Sequence, residues 1–496
     1  MRLKIISLLL LLSIVLLVFS CKQTPENKEY SYPEYKELHY KMLDSALAGR
    51  KQQLVSYLTG VQQRADKIHT DEFTLKFFKT IHAFQEVKSK KNFPEKLVKE
   101  TKALKQQFKE HYIVDYHVFY DMLFIDSSGE IFYTIRQQGD YKKNIFKGEL
   151  KTTALSEKMK TRPSTSFVDF QFYEISGEPS AFFIEPVKDE KGQLGWVVLQ
   201  FSIDKINNMF CLHQDIGETH EVILVNKDHY MLTDSRFIAK STILSEQLAK
   251  ENIDAKFKEG KGQKAVVDYR GHKVFSSFEV FDLLGSQWLI ISKMDEEELI
   301  TSYFLQYPDK MTGMLNQIIA QKKSAHKKGR LNIEHGIEVD MDEFRRNDDS
   351  QLVYTHGVSS CTAFIIKKPG DFSYFAHISP YDKVYGEDRT DLLTHILKKI
   401  EYLEVTDSEK HALNFYLVSS SKDAFEEMLK RLMKEGYFLS QVKILYHPQA
   451  VHANVSSRSD EAGVLVSWKM NEQLFYLENS REQENLQKQV QELLGE

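Results

Sequence analysis

Cysteine is nearly absent, with three among 496 residues. That is too few for a disulfide framework, so each needs its own explanation. There is no basic excess either: 66 Lys and Arg stand against 71 acidic residues, a net charge of −5. The electrostatic footprint of a nucleic-acid binder is therefore missing. Beyond the first twenty residues no apolar run is long enough to span a membrane, which excludes a multi-span protein. No Walker loop, dinucleotide fingerprint or zinc-finger spacing occurs, and nothing in the sequence calls for a cofactor. What remains is ordinary globular material, 42% hydrophobic and 28% charged, long enough for two or three domains. Aromatic residues are plentiful (32 Phe, 24 Tyr) and can build large cores and lined pockets.

The chain opens MRLKIISLLLLLSIVLLVFSC. Arg2 and Lys4 precede an uncharged apolar stretch from Ile5 to Phe19, shorter than the ~20 residues a spanning helix needs. Residues 1–20 therefore read as a secretory signal. The ending Val18-Phe19-Ser20-Cys21 resembles the lipobox of bacterial lipoproteins. That resemblance implies that Cys21 is diacylated and becomes the mature N-terminus; an uncleaved anchor or ordinary cleavage nearby are the alternatives. Residues 21–34 are polar and proline-bearing, as a tether between lipid and domain would be. At ~0.8 kcal/mol per buried CH₂, several acyl chains hold a protein on a membrane without a helix. The expected location is the cell envelope, lipid-anchored and facing outside the cytoplasm.

From Glu37 to about Phe108 apolar residues recur at three and four spacing, predicting a long helix and its companions. Near His111 the period changes. VFYDMLFIDSSGEIFYTIR reads as strand, turn at Ser127-Ser128-Gly129, strand; SFVDFQFYEI, PSAFFIEPVKD and LGWVVLQFSI follow as further strands. A shorter version of the same pattern then appears in HEVILVNKDHYMLTDSRF, KAVVDYRGHKVFSSFEVF and SQWLIISKMD. The expected fold class is α+β: a long N-terminal helix, two β-rich lobes at about 110–213 and 214–300, then a C-terminal α/β layered domain.

The phrases FIDSSGEIFYT, FVDFQFYEISGEPSAFFIEPVKDEKGQLGWVVLQFSIDKIN, GETHEVILVNKDHYMLTDSRF and DYRGHKVFSSFEVFD resemble, in order and spacing, the double Cache domain of chemoreceptors and sensor kinases. The resemblance covers residues 35–300 and implies two PAS-like antiparallel lobes and a small extracellular ligand in the distal one. Family pockets use arginine or aromatics for a carboxylate and aspartate for an amine, which makes Arg136, Asp140, Asp169 and Tyr173 the candidates. Each is open to the plainer reading of a structural or solvated strand residue. The Arg-x-Trp-Tyr pattern of the amino-acid-sensing subgroup is absent; the local sequence is IRQQGDY. Where a usual member continues into a membrane helix, this chain continues into ISKMDEEELITSYFLQ. Cys211 reads as a small buried hydrophobe.

Residues 301–349 read as a helical and then charged connector, and residues 350–470 as a new domain. In it QLVYTHGVSSCTAFIIKK, DFSYFAHISP, ALNFYLVSS, QVKILYHP and VHANVSSRSDEAGVLVSW are strand-like, while RTDLLTHILKKIEYLE and KDAFEEMLKRLMKEGY are helical. Residues 471–496 end as a polar amphipathic helix. Cys361 follows a turn off one strand and His377 ends the next, so antiparallel neighbours can bring them together. An imidazole partner raises the thiolate fraction of a cysteine, and the Thr355 hydroxyl can orient that imidazole. His447 and His452 lack the acidic or cysteine cluster that a metal site would need, and no metal ligands are assigned.

Thr355 lies six residues before Cys361, and Ala376-His377 sixteen after it. This spacing, with the order of helices and strands, resembles the chemoreceptor glutamine deamidase (CheD) family. The resemblance implies a Cys361–His377–Thr355 triad acting on a glutamine side-chain amide. Ser359-Ser360-Cys361 stands where the family has Gly-Ser-Cys, and the family's usual substrates are cytoplasmic. The combined expectation is a lipid-anchored sensor fused to a deamidase-like domain, with a protein substrate or a membrane signalling partner. Two alternatives stay open: a non-catalytic binding protein docking on a membrane sensor, and a thiol hydrolase of cell-wall amides.

Overall fold

The computed structural model describes residues 29–88, 95–110, 118–212, 216–321, 326–348, 350–380, 390–406, 409–447, 449–461, 463–470, 473–477 and 485–494. The leader with Cys21 lies outside them. The chain is mixed α+β and divides into two compact units, one of residues 39–300 with 394–412, the other of the remaining described residues. Among the described residues no helix is long and apolar enough to cross a membrane.

The first unit opens on α1 (Tyr32–Thr70), α2 (Glu72–Lys88) and α3 (Glu95–Lys109). Two antiparallel sheets follow. The first contains β1 (Asp121–Asp126), β2 (Ile131–Thr134), β3 (Ser166–Tyr173), β4 (Glu178–Asp189) and β5 (Gly192–Ser202), in the order β2-β1-β5-β4-β3. Both faces are buried, and alternation assigns them. Met122 and Phe124 of β1 join Leu54, Leu58, Phe77 and Phe108 of the helices in one core. Leu123 and Ile125 join Phe182, Trp196, Val198 and Tyr173 in a second core on the opposite face. The helix α4 (Ala154–Lys160), capped by Thr153, closes that face with Leu155 and Met159.

The second sheet contains β6 (Glu221–Asn226), β7 (Lys261–Val267), β8 (Lys273–Leu283) and β9 (Ser286–Asp295) in the order β6-β9-β8-β7, after α5 (Asp204–Cys211) and beside α6 (Lys250–Glu259). An isolated bridge between Val225 and Met231 occupies the place beside β6 that β2 holds beside β1. The repetition read in the sequence is thus a repetition of strand order. Cys211 is half-buried rather than part of a core.

In the other unit, α7 (Glu296–Gln306) runs on from Thr301 and α8 (Pro308–Gln321) follows. The segment expected to be a connector then supplies three strands: β10 (His326–Lys328), β11 (Ile337–Glu338) and β12 (Glu343–Asn347). The charged sequence EFRRN hides β12 from a pattern reading. It is an edge strand, paired on one side with β15, and alternates exposed and less exposed positions. Next come β13 (Val353–Val358), β14 (Thr362–Lys368), β15 (Phe372–Ile378), α9 (Leu392–Leu403), which from Thr394 on is counted with the first unit, β16 (Asn414–Ser419), α10 (Lys422–Lys434), β17 (Val442–Tyr446), β18 (His452–Ser457), β19 (Leu465–Met470), β20 (Gln473–Leu477) and α11 (Leu486–Leu494). They form a six-stranded sheet, β10-β20-β19-β18-β13-β11, and a five-stranded sheet, β12-β15-β14-β16-β17. The two share one core: Val353, Val455 and Trp468 from the first meet Ala363, Ile365, Phe375 and Val418 from the second. On the far face of the five-stranded sheet, Phe425 of α10 packs on Tyr446 of β17. The last segment is strand as well as helix, since β20 precedes α11.

Candidate active site

Strand register brings the first two candidate residues together. In the β14–β15 pair Ala363 lies opposite His377 and Thr362 opposite Ile378. Cys361, one residue before β14, therefore points to the same face as Ala363 and sits diagonally from His377. That face is the core shared with the six-stranded sheet, where Cys361 is 8% and His377 5% exposed. Thr355 comes from β13, in the other sheet, and meets His377 across the core with Oγ1 2.8 Å from Nδ1.

A second contact fixes the protons. Thr355 Oγ1 also lies 2.7 Å from the carbonyl oxygen of Val339. A carbonyl only accepts, so the single hydroxyl proton goes to Val339, and Nδ1–H of His377 donates to Thr355. Nε2 then carries the lone pair. It is buried and, among the described residues, has no hydrogen-bond partner. This is the atom that a base toward Cys361 would use.

The turn that presents the thiol is clamped from β16. Ser419 Oγ lies 2.7 Å from the carbonyl oxygen of Cys361, to which it donates, and 3.2 Å from that of Ser359, which accepts the Ser420 N–H. The left-handed residue of this segment is Gly357, at φ +68°, where β13 is bulged against β18. Ser359 is not among the residues with positive φ, so the absence of glycine at that position strains nothing.

Electrostatics hold the thiol back. Burial raises the Cys361 pKa, and the Asp342 carboxylate adds to the rise, against a Ser360 hydrogen bond that lowers it. Burial lowers the pKa of His377, while Asp342 and Asp340 oppose that shift. Asp342 sits at φ +63°, receives Ser379 N–H at 3.0 Å and gives its own N–H to His377 O at 2.6 Å. The Cys361 sulfur lies 3.9 Å from Met341 Sδ, and the Met341 side chain is 54% exposed. No hydrogen bond joins the thiol to His377 among the described residues. Asp342, Met341 and Val339 O escaped the sequence reading because their segment looked like linker; its spacing carries no motif.

The four ligand candidates in the first unit separate. Asp140 and Tyr173 come together on the second-core face: Tyr173 Oη donates to Asp140 Oδ2 at 3.1 Å, and Asp140 Oδ1 is buried with no partner among the described residues. Burial raises both pKa values. Beside them lies Asp121, unnoticed in the sequence. Its Oδ1 accepts the N–H groups of Met122, Ile135 and Arg136, and burial pushes its carboxyl up to about 6, with the charge of Asp140 adding. Arg136 is exposed; it stacks on the Tyr120 ring at 3.9 Å and donates to Tyr120 O. Asp169 lies elsewhere and accepts Trp288 Nε1–H at 2.8 Å, tying β3 to the second sheet of the same unit. His272, Asp295 and Glu297 converge as metal-type ligands, but the Arg270 guanidinium is already paired with Asp295.

No family model matches the chain, and no curated protein matches it. Solved structures do. An extracellular ligand-binding receptor from Desulfohalobium retbaense is 14% identical over 51% of this chain and 40% of its own, with a TM-score of 0.34; the match spans less than half of that receptor. A domain of a sensory box/GGDEF family protein from Vibrio parahaemolyticus is 11% identical over 53% of this chain and 99% of its own, TM-score 0.39. The ligand-binding domain of the amino-acid chemoreceptor PctC from Pseudomonas aeruginosa PAO1, solved with GABA, is 14% identical over 52% of this chain and 99% of its own, TM-score 0.35.

Proposed function

We propose that this protein is a lipid-anchored sensor of the cell envelope, in which a double Cache domain binds a small extracellular ligand and a CheD-like domain is a cysteine amidohydrolase. The sensor part rests on the sequence phrases quoted above and on the repeated strand order. The ligand contacts fall to Asp140 and Tyr173, where a buried carboxylate oxygen with no partner among the described residues suits an ammonium group. Arg136 is on the surface, stacked on Tyr120, and is not assigned a ligand contact.

The enzyme part rests on one observation: the Val339–Thr355–His377 chain, which leaves Nε2 of His377 as the basic nitrogen, on the strand paired with the one that Cys361 precedes. In the reaction His377 takes the thiol proton and Cys361 sulfur attacks the amide carbon of glutamine. The C–N bond breaks and ammonia leaves with the proton from His377. Water, deprotonated by the same imidazole, then opens the thioester to glutamate and free thiol. The raised thiol pKa and the missing Cys361–His377 hydrogen bond favour a second reading, a domain that keeps the fold and docks without catalysis. Incubating the purified protein with glutamine peptides and with peptidoglycan fragments separates these. Ammonia release and an amide-to-acid mass shift, lost in Cys361→Ser, support the deamidase. Release from the wall fragments alone indicates the cell-wall hydrolase, and no release from either leaves the docking domain.

A further inference from the structure

In the second sheet of the first unit β8 and β9 run antiparallel, with Val274 opposite Asp295. Two residues before Val274 stands His272, and two after Asp295 stands Glu297, in the first turn of α7. The strand ends thus bring one imidazole and two carboxylates together, all within the first unit. One ligand atom of each lies within 4.8 Å of the other two, the one such group of His, Cys, Asp and Glu side chains among the described residues.

The spacing is that of ligands around an ion. His272 Nδ1 stands 3.3 Å from Asp295 Oδ2 and 3.6 Å from Glu297 Oε1. Both are longer than a charge-assisted N–H···O bond of about 2.7–2.9 Å, and the second is outside hydrogen-bond range. Two ligands of one tetrahedral ion, each about 2.1 Å from it, lie about 3.4 Å apart. Arg270, itself held by Asp268, pairs with Asp295 through Oδ1. That leaves Oδ2 toward the imidazole, so the guanidinium orients the carboxylate as outer partners of metal-bound carboxylates do. The Asp295 side chain is 2% exposed, whereas His272 is 41% exposed. The group is therefore anchored on its buried side and open to solvent on the other, with a path for entry and room for a water as a further ligand.

We infer that His272 Nδ1, Asp295 Oδ2 and Glu297 Oε1 bind a divalent first-row transition cation of the zinc type. One imidazole nitrogen and two carboxylate oxygens suit such an ion. Calcium takes more oxygen ligands than are offered, and copper(I) selects sulfur. Bound there, the ion joins the turn before β8 to the junction of β9 and α7. The site is separate from Asp140 and Tyr173 and from Cys361, so its failure would leave the readings of both untouched.

The test is calorimetric titration of the whole chain, purified in detergent and stripped of metal with EDTA, with zinc chloride, and with calcium and magnesium chloride as controls. Saturable zinc binding is expected, weakened about 10-fold or more in His272→Gln and in Glu297→Gln. His82→Gln, which removes another imidazole set between two carboxylates of the same unit, Glu86 and Asp126, should bind as the wild type does. Zinc should also raise the urea midpoint of the wild type and leave that of His272→Gln in place; the midpoints without zinc show that the variants fold. Absence of zinc binding, wild-type affinity in either His272→Gln or Glu297→Gln, or tighter binding of calcium would overturn the inference.

Discussion

Thr355 and His377 stand on strands of two different sheets, yet their side chains meet across the core at 2.8 Å. The contact decides the tautomer of the histidine, because Val339 O takes the only proton that Thr355 has to give. Thr355→Val, nearly the same shape, removes both partners. It should cost about 1–3 kcal/mol, the usual loss when buried polar groups are left unpaired. Thr355→Ser should recover most of it. Urea unfolding followed at Trp468, the tryptophan of this unit, measures both; equal stability of the valine variant would contradict the assignment.

Met341 covers the thiol from a mostly exposed position. Met341→Ala should therefore raise the alkylation rate of Cys361 several-fold with little change in stability. An unchanged rate would mean that access is limited by other groups.

Asp342 raises the pKa of the thiol by its charge. Asp342→Asn keeps an oxygen for the Ser379 N–H and removes the charge, and asparagine tolerates the left-handed backbone there. The alkylation-versus-pH curve of Cys361 should move to lower pH. A curve that stays in place, or moves up, would show that the carboxylate is not facing the sulfur.

In the first unit Asp121 carries a pH dependence. Its folded pKa of about 6 lies above the ordinary 3.8, so the folded state holds the proton more tightly. The stability it contributes is present below about pH 4 and is lost as pH rises through about 6, on the order of 3 kcal/mol in all. Asp121→Asn should flatten that fall. Unfolding followed at Trp196 and Trp288 between pH 4 and 7.5 reads it, and the same slope in both proteins would refute the prediction.

Much of this was legible because hairpins are local. The Ser127–Gly129 turn, the apolar runs of β4 and β5, and the Cys361-to-His377 spacing all lie within short stretches that can be read locally. Long-range pairing was not. The sequence gives no sign that Thr355 and His377 lie on facing sheets, since both strands read alike. EFRRN carries too much charge to be taken for a strand until β15 is seen beside it. Asp169, chosen as a ligand contact by residue type, instead meets Trp288, 119 positions away.

The central claim is that His377 acts on Cys361, and the alkylation rate of that thiol against pH tests it most directly. The comparison is between the wild type and His377→Ala, with Cys211 replaced by Ala in both. The account predicts a reactive limb near neutral pH that falls about 10-fold without the imidazole, leaving a single thiol titration at higher pH. Superimposable curves would contradict it and leave Cys361 as a buried structural cysteine.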